Sequence, residues 1–334
     1  MTRGQLLGAL ERTSQRFSLR RLARRVYAIG IYAGPSPFAL SAPPQVKNPV
    51  LTHHQVSDAP AFFVADPFLI QVDGSWHMFF EAMVWKGGRR IGVISHALSR
   101  DGFTWEYKRI VLAEPFHLSY PYVFAWNSDF YMVPESRQSG AARLYRADPF
   151  PHRWTYVGDL LRGPVLLDSS IVRRDGRWWL FADTSPTLTH DTLNLFHARE
   201  LSGPWIEHPR NPIVARNHRI ARPGGRIVST PALLVRFAQD CYPDYGRSVR
   251  AFHIDRLGES EYEEREHGTE PVLMGGGERW NQGGMHHLDA HQLSEDRWIA
   301  AVDGWHRTLV RPREIAMVVF GRRGTDPRGE NGGE

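Results

Sequence analysis

The sequence predicts an all-β protein, a five-bladed β-propeller preceded by a short basic helical arm. Three observations point there: a loosely repeated unit of two β-rich runs, a turn signal inside the units, and recurrence about every 50 residues. Composition agrees, since 42% hydrophobic and 23% charged residues in a chain of 334 are ordinary globular values and exclude general disorder. A single cysteine, Cys241, excludes a disulfide scaffold and fits a reducing compartment. No run approaches the roughly 18 apolar residues of a membrane span. No apolar leader with a small-residue cleavage site opens the chain, so a cytoplasmic location is expected.

Residues 1–28 form the expected arm. Arg3, Arg12, Arg16, Arg20, Arg21, Arg24 and Arg25 stand against one acid, Glu11, so the arm carries +6 while the whole chain carries +5. The body is therefore close to neutral, which argues against a nucleic-acid partner. Leu6, Leu10, Phe17, Leu22 and Val26 recur at roughly helical spacing. Such a helix packs on the body, or meets an anionic membrane surface or a partner.

The propeller is expected over residues 29–321. Its first unit starts at Asp66-Pro67-Phe68, turns at Asp73-Gly74 and ends at Phe79-Phe80-Glu81. The second starts at Tyr120-Pro121-Tyr122, turns at Asn127-Ser128 and ends at Val133-Pro134-Glu135. The third starts at Asp168-Ser169-Ser170, turns at Asp175-Gly176 and ends at Phe181-Ala182-Asp183. A weaker fourth runs from Thr230–Leu234 into Val235–Asp240, and a fifth from His286-His287 through Asp296-Arg297 to Asp303. Runs at 91–97, 105–110, 142–147 and 154–157 supply third and fourth strands. Short strands also suit a β-sandwich, but a polar residue repeated at equivalent strand ends favours the ring. Closing the ring removes an open edge. Either residues 26–32 or residues 315–320 provide the missing strand, and the Gly- and charge-rich stretch 322–334 reads as a disordered tail.

In a propeller the first strand of each blade lines the central channel, so polar residues at one end of those strands converge. Asp66, Tyr120, Asp168 and His286-His287 open units, and Arg222 sits just ahead of the fourth. Glu81, Glu135, Asp183, Gln239-Asp240 and Asp303 end the second runs. Any one of these acids reads equally well as a partner for backbone amides at a strand end or turn. Jointly they suit carbohydrate chemistry. Glycosidic cleavage needs a proton donor and a carboxylate that activates water or attacks carbon, and a third carboxylate raises the donor's pKa. Trp85 and Trp305, just beyond strand ends, suit sugar stacking.

No zinc spacing accompanies His53-His54, His286-His287 or His291, and no phosphate-loop lysine follows Gly275-Gly276-Gly277 or Gly283-Gly284. No metal and no cofactor is assigned, and the glycine runs read as a mobile loop at the pocket mouth.

These residues also carry a resemblance. Ala65-Asp66-Pro67-Phe68 ahead of Phe79-Phe80-Glu81 resembles the first blade of the five-bladed glycoside hydrolases of families 43, 32 and 68. Residues about 29–305 resemble the N-terminal domain of plant glucosamine inositolphosphorylceramide transferase and its stand-alone bacterial relatives, through stretches 30–38, 114–124, 236–240 and 284–287. In the plant enzyme the transferase chemistry belongs to a separate C-terminal domain, so the resemblance implies a fold and a carbohydrate context more than a reaction. From the hydrolases it implies Asp66 as general base or nucleophile. Blade position then makes Glu135 the general acid and Asp168 the pKa-modulating acid.

Two main functions remain open at this point. One is a hydrolase or transglycosylase in which Asp66, Glu135 and Asp168 are catalytic. Glu81, Tyr120, Asp183, Arg222, Gln239, Asp240, His286, His287 and Asp303 would then bind the sugar, with Arg222 holding an anionic group on it. The other is a non-catalytic carbohydrate-binding domain in a glycosyltransferase pathway. A protein–protein scaffold with a plugged channel is a third class.

Overall fold

The computed structural model describes residues 23–309. The chain opens with β1 (Ala23–Ser36) and β2 (Ala39–Ser41). Blade I follows as β3 (Ala61–Val72), β4 (Ser75–Lys86), β5 (Arg89–Ser99) and β6 (Glu106–Leu112). Blade II is β7 (Ser119–Trp126), β8 (Asp129–Glu135), β9 (Ala141–Ala147) and β10 (Trp154–Arg162). Blade III is β11 (Leu167–Arg174), β12 (Arg177–Asp183), β13 (Leu193–Ala198) and β14 (Ile206–Glu207). Blade IV is β15 (Val228–Ser229), β16 (Leu234–Asp240), β17 (Ser248–Leu257) and β18 (Tyr262–Glu266), with β19 (Leu273–Met274) added on β17. Blade V joins β20 (Leu288–Ser294) and β21 (Arg297–Leu309) to β1 and β2.

The five antiparallel sheets are the five expected blades. The turns sit where the sequence signals them: Asp73 and Gly74 take φ of 48° and 76°, and Asp175 and Gly176 take 51° and 76°. Positive φ at both positions is what a tight hairpin requires of Asp-Gly. The core lies between blades. Phe68 and Phe79 of blade I pack with Tyr122 and Val133 of blade II, and Val172 and Phe181 of blade III with Ile227 and Ile254 of blade IV. Both faces of each sheet are covered, which is why β3 and β4 are apolar along most of their length and do not alternate.

The ring closes through β1, paired with β21 from Ala23 opposite Leu309 to Gly34 opposite Trp298. Of the two expected closing segments, 26–32 does the work. The helical arm expected through residue 28 is strand from Ala23 on, because those residues complete a sheet that would otherwise end at the long edge of β21. Residues 1–22, with the rest of that arm, and 310–334, with the alternative closing strand and the tail, lie outside the described residues. Among the described residues no helix is long and apolar enough to cross a membrane.

Blade IV departs from its expected layout. The run 230–234 is mostly a turn, and the inner strand is the two-residue β15 just before it. The channel here is lined by the preceding Pro223–Ile227 stretch, where Gly225 takes φ 138° and lies against the backbone of Leu288. A Cβ on Gly225 would come within 1.9 Å of the Leu288 carbonyl oxygen. Gly225→Ala is therefore expected to cost about 3 kcal/mol or more in a denaturant melt, the range of strained-backbone and overpacked substitutions.

Candidate functional site

One local device builds the site three times. Pairing slips between Ala65 and Phe68 in β3, between Ser119 and Tyr122 in β7, and between Leu167 and Ser170 in β11. At each slip two residues oppose one, a β-bulge. The first bulge residue is Asp66, Tyr120 or Asp168, with φ of 52°, 46° and 47°. An aspartate tolerates that backbone; a tyrosine is strained in it. The residue before each bulge pairs with an acid of the next strand: Ala65 with Glu81, which lies inside β4 because that strand runs on to Lys86, Ser119 with Glu135 at the end of β8, and Leu167 with Asp183 at the end of β12. The polar repeat of the sequence is thus a single bulge motif used in three blades.

At this end of the channel lies a cavity of about 350 Å³. Asp66, Glu81, Glu135, Arg222 and His286 line it, as expected from their strand positions. Tyr27, His117, Arg137, Leu188, His190 and Tyr245 line it too, and sequence reasoning had not singled them out for the site. His117 falls in the 114–124 stretch and Tyr27 in the closing strand. Leu188, His190 and Tyr245 come from loops between strands, where no periodicity marks a residue.

Asp66 sits in a network of charge. Its N–H donates to Asp303 Oδ2 (3.0 Å), and His286 bridges the two acids, with Nδ1 2.6 Å from Asp303 Oδ1 and Nε2 3.7 Å from Asp66 Oδ1. Burial lifts the Asp66 pKa to about 7, against the pull of His286 and with help from Asp303 and Asp168. Burial pulls His286 down, but Asp303, Asp66 and Asp168 together more than offset it and the net shift is upward. Donor atoms of Asp66, His286 and Asp303 all lie within 4.8 Å, close enough to share a cation. Both Asp303 oxygens already accept hydrogen bonds, one from His286 and the other from the Asp66 amide.

Glu135 accepts from the Arg137 N–H (2.9 Å) and the Ser119 hydroxyl (3.1 Å). Burial, then Asp168, raises its pKa against those two bonds. Glu81 is raised well above the ordinary carboxylate range by burial, then by Asp66, Glu135, Asp168 and Asp303.

The other expected site residues lie behind the cavity wall. Asp168 is buried and accepts from Arg222 Nε (2.6 Å) and Gln239 Nε2 (2.7 Å), so it anchors Arg222, and Gln239 also holds the Pro223 carbonyl. Tyr120 is fully buried, its hydroxyl within hydrogen-bond reach of Ser170 Oγ (2.8 Å) and of the Gly225 backbone. It ties blade II to the channel segment of blade IV rather than facing a ligand.

Asp183 accepts from the Ser185 N–H and hydroxyl and lies 3.0 Å from His190 Nδ1, so it shapes the loop that brings Leu188 and His190 to the cavity. His287 donates from Nε2 to the Pro67 carbonyl under the Asp66 bulge. Asp240 faces away from the cavity toward Arg219 and Arg250.

Two expectations about the rim change. Trp305 is 4% exposed, its indole N–H donates to the Gly246 carbonyl, and Arg25 covers its face at 4.3 Å, so it offers no stacking surface. Trp85 lies against Phe62 outside the cavity lining. The Gly283-Gly284 run is not a loose mouth loop: the Gly283 N–H bonds the Trp305 carbonyl, and a Cβ there would strike the Trp305 ring at 2.3 Å.

Comparison with known proteins places this geometry. Over 303 residues the chain is 39% identical to glucosamine inositolphosphorylceramide transferase 1 of Oryza sativa subsp. japonica, covering 83% of this chain and 40% of that protein. The chain thus spans about two fifths of the rice relative. Among solved structures, β-1,2-mannobiose phosphorylase from Listeria innocua, in complex with β-1,2-mannobiose, superposes with TM-score 0.60 at 12% identity, covering 86% of this chain and 99% of that one. A thermostable family-43 glycoside hydrolase gives 0.55 at 15% identity, covering 79% and 92%. These two show a shared fold. The family described as "Glucosamine inositolphosphorylceramide transferase 1, N-terminal" matches residues 23–305, and the chain belongs to it.

Proposed function

We propose that this propeller acts on a glycosidic bond of a carbohydrate or glycoconjugate, as a hydrolase or transglycosylase, with cavity carboxyls as acid and base. The observation that carries the reading is the cluster of Asp66, Glu81 and Glu135 on one cavity, all with raised pKa values. A base with a pKa near 7 and an acid kept protonated at neutral pH are what general acid–base catalysis needs. The fold shared with carbohydrate-acting enzymes supports the same ligand class. Arg222 is engaged by Asp168, so the guanidinium that meets an anionic group on the ligand is Arg137, which lines the wall and makes no ion pair among the described residues.

A panel of aryl glycosides tests this directly. Turnover by the wild type that disappears in Asp66→Asn supports it. Binding of sugars in saturation-transfer NMR without any turnover would instead establish the second reading, a carbohydrate-binding domain serving a glycosyltransferase, which the family favours.

A further inference from the structure

The three cavity carboxyls are not equivalent in their bonding. Both Glu135 oxygens are engaged, one by the Arg137 N–H and one by the Ser119 hydroxyl. Donors on both oxygens favour the ionised form and oppose the upward pull of burial and Asp168 on Glu135. Glu81 stands on the neighbouring blade and is 5% exposed, yet its Oε1 has no hydrogen-bond partner. The polar atom that approaches it is His117 Nε2, at 3.6 Å, beyond hydrogen-bond reach.

His117 is held in place: its Nδ1 accepts the Gly92 N–H at 2.9 Å, which puts the ring proton on Nε2, facing Glu81. Burial, then Arg137, brings the His117 pKa down to about 4, so the ring is neutral and supplies no counter-charge at neutral pH. The charged groups that act most strongly on Glu81 are acids: Asp66 from β3, Glu135 from β8, Asp168 from β11 and Asp303 from β21. Of the cations on the same cavity, Arg222 and His286 are engaged by Asp168 and Asp303, and Arg137 makes no hydrogen bond or ion pair to Glu81. An ionised Glu81 would have one buried oxygen with no donor and four acids around it. A neutral carboxyl avoids that cost.

We propose that Glu81 is the proton donor of this cavity, and that Glu135, locked by its two donors, is a fixed carboxylate that positions the ligand. The assignment rests on the glycosidic reading above. In the step it describes, the Glu81 proton passes to the glycosidic oxygen. The bond from that oxygen to the anomeric carbon breaks, its electron pair stays on oxygen, and an alcohol departs. The oxygen of a water or an acceptor hydroxyl bonds to the anomeric carbon and gives its proton to Asp66. Glu81 ends as a carboxylate and Asp66 as an acid, and exchange with solvent restores both.

Two measurements on the whole chain test the assignment. Infrared difference spectroscopy reads protonated carboxyls without a substrate. Well above pH 7, where Asp66 is ionised, the wild type should show a protonated-carboxyl band that is lost in Glu81→Gln and kept in Glu135→Gln. The reverse pattern, or no such band in the wild type, overturns the proposal. Titrating the wild type tests the point even if a variant fails to fold: one part of the band is lost near pH 7 as Asp66 ionises, and a second part must persist above it or the proposal falls.

The second measurement compares alkyl glycosides, whose leaving group needs a proton, with dinitrophenyl glycosides, whose leaving group does not. Glu81→Gln should slow the alkyl series by about 100- to 10,000-fold and leave the dinitrophenyl series within about tenfold. Equal loss on both series would make Glu81 a structural residue. If the wild type turns over neither series, the glycosidic reading falls, and the catalytic role of Glu81 with it. The infrared band would still report which carboxyl holds the proton.

Discussion

Asp66→Asn is expected to abolish turnover and, at the same time, to stabilise the protein above neutral pH. The loss of turnover follows from removing the base and should reach about 100- to 10,000-fold. The gain in stability follows from linkage. Burial raises the Asp66 pKa to about 7 in the folded state, against about 3.9 for an unperturbed aspartate. A group raised on folding binds its proton more tightly when folded, so its contribution is fully present below about pH 4 and is lost as pH rises through about 7. At pH 8 the wild type must hold a buried carboxylate that His286 only partly compensates.

Asparagine carries no such charge, and it tolerates the left-handed backbone at φ 52° as aspartate does. Melting curves of both proteins should therefore nearly coincide at about pH 4 and separate by on the order of 2–4 kcal/mol at about pH 8. A wild type that is the more stable of the two at pH 8 would show that the Asp66 charge is well paired in the fold, against this account.

Arg226→Met should be the most destabilising single change in the channel. Arg226 donates from Nε to Asp289 Oδ1 (2.6 Å) and from Nη2 to the Leu69 and Val123 carbonyls (3.0 Å each), over the rings of Tyr122 and Phe68. One side chain on the approach to blade IV thereby ties blades I, II and V at the channel axis. It also lines a second cavity of about 320 Å³ whose walls include Trp126 and Trp178.

Removing the guanidinium leaves Asp289, fully buried, with only His291 Nε2 (2.9 Å) and the Leu69 N–H (2.5 Å) on its carboxylate, and such a broken pair costs about 3–5 kcal/mol. Adding Asp289→Asn should recover part of the loss, because the uncompensated charge goes as well. The pH dependence runs opposite to that of Asp66. Burial would raise Asp289, but Arg226, His291 and the Leu69 N–H together outweigh it and the net shift is downward. Its contribution is therefore present above the ordinary aspartate pKa and lost as pH falls below it, so wild type and variant should converge in acid. A gap that stays constant down to low pH would assign the loss to packing instead of charge.

The repeat, its turns and much of its chemistry were legible in the sequence. Asp73-Gly74 and Asp175-Gly176 encode their hairpins through backbone conformations that few other residues accept. Apolar runs on either side encode the strands. Asp66, Glu81, Glu135, Arg222 and His286 meet at one cavity as their places in the repeat implied. All of this depends on patterns that span a dozen residues or fewer.

What only the tertiary structure decided is how each polar atom is used once the blades meet. Tyr120 and Asp168 occupy the same bulge position as Asp66, yet each is engaged by a partner far along the chain, Tyr120 by Gly225 and Asp168 by Arg222. Asp240 ends its strand as Glu135 does, but arginines on neighbouring segments draw it away from the cavity. Glu81 and Glu135 look interchangeable in the repeat, and they differ because Ser119 and the Arg137 amide reach only one of them. Strand pattern and turn chemistry are local properties of a chain. The protonation state and accessibility of a carboxyl depend on donors, charges and burial that folding brings in from other blades.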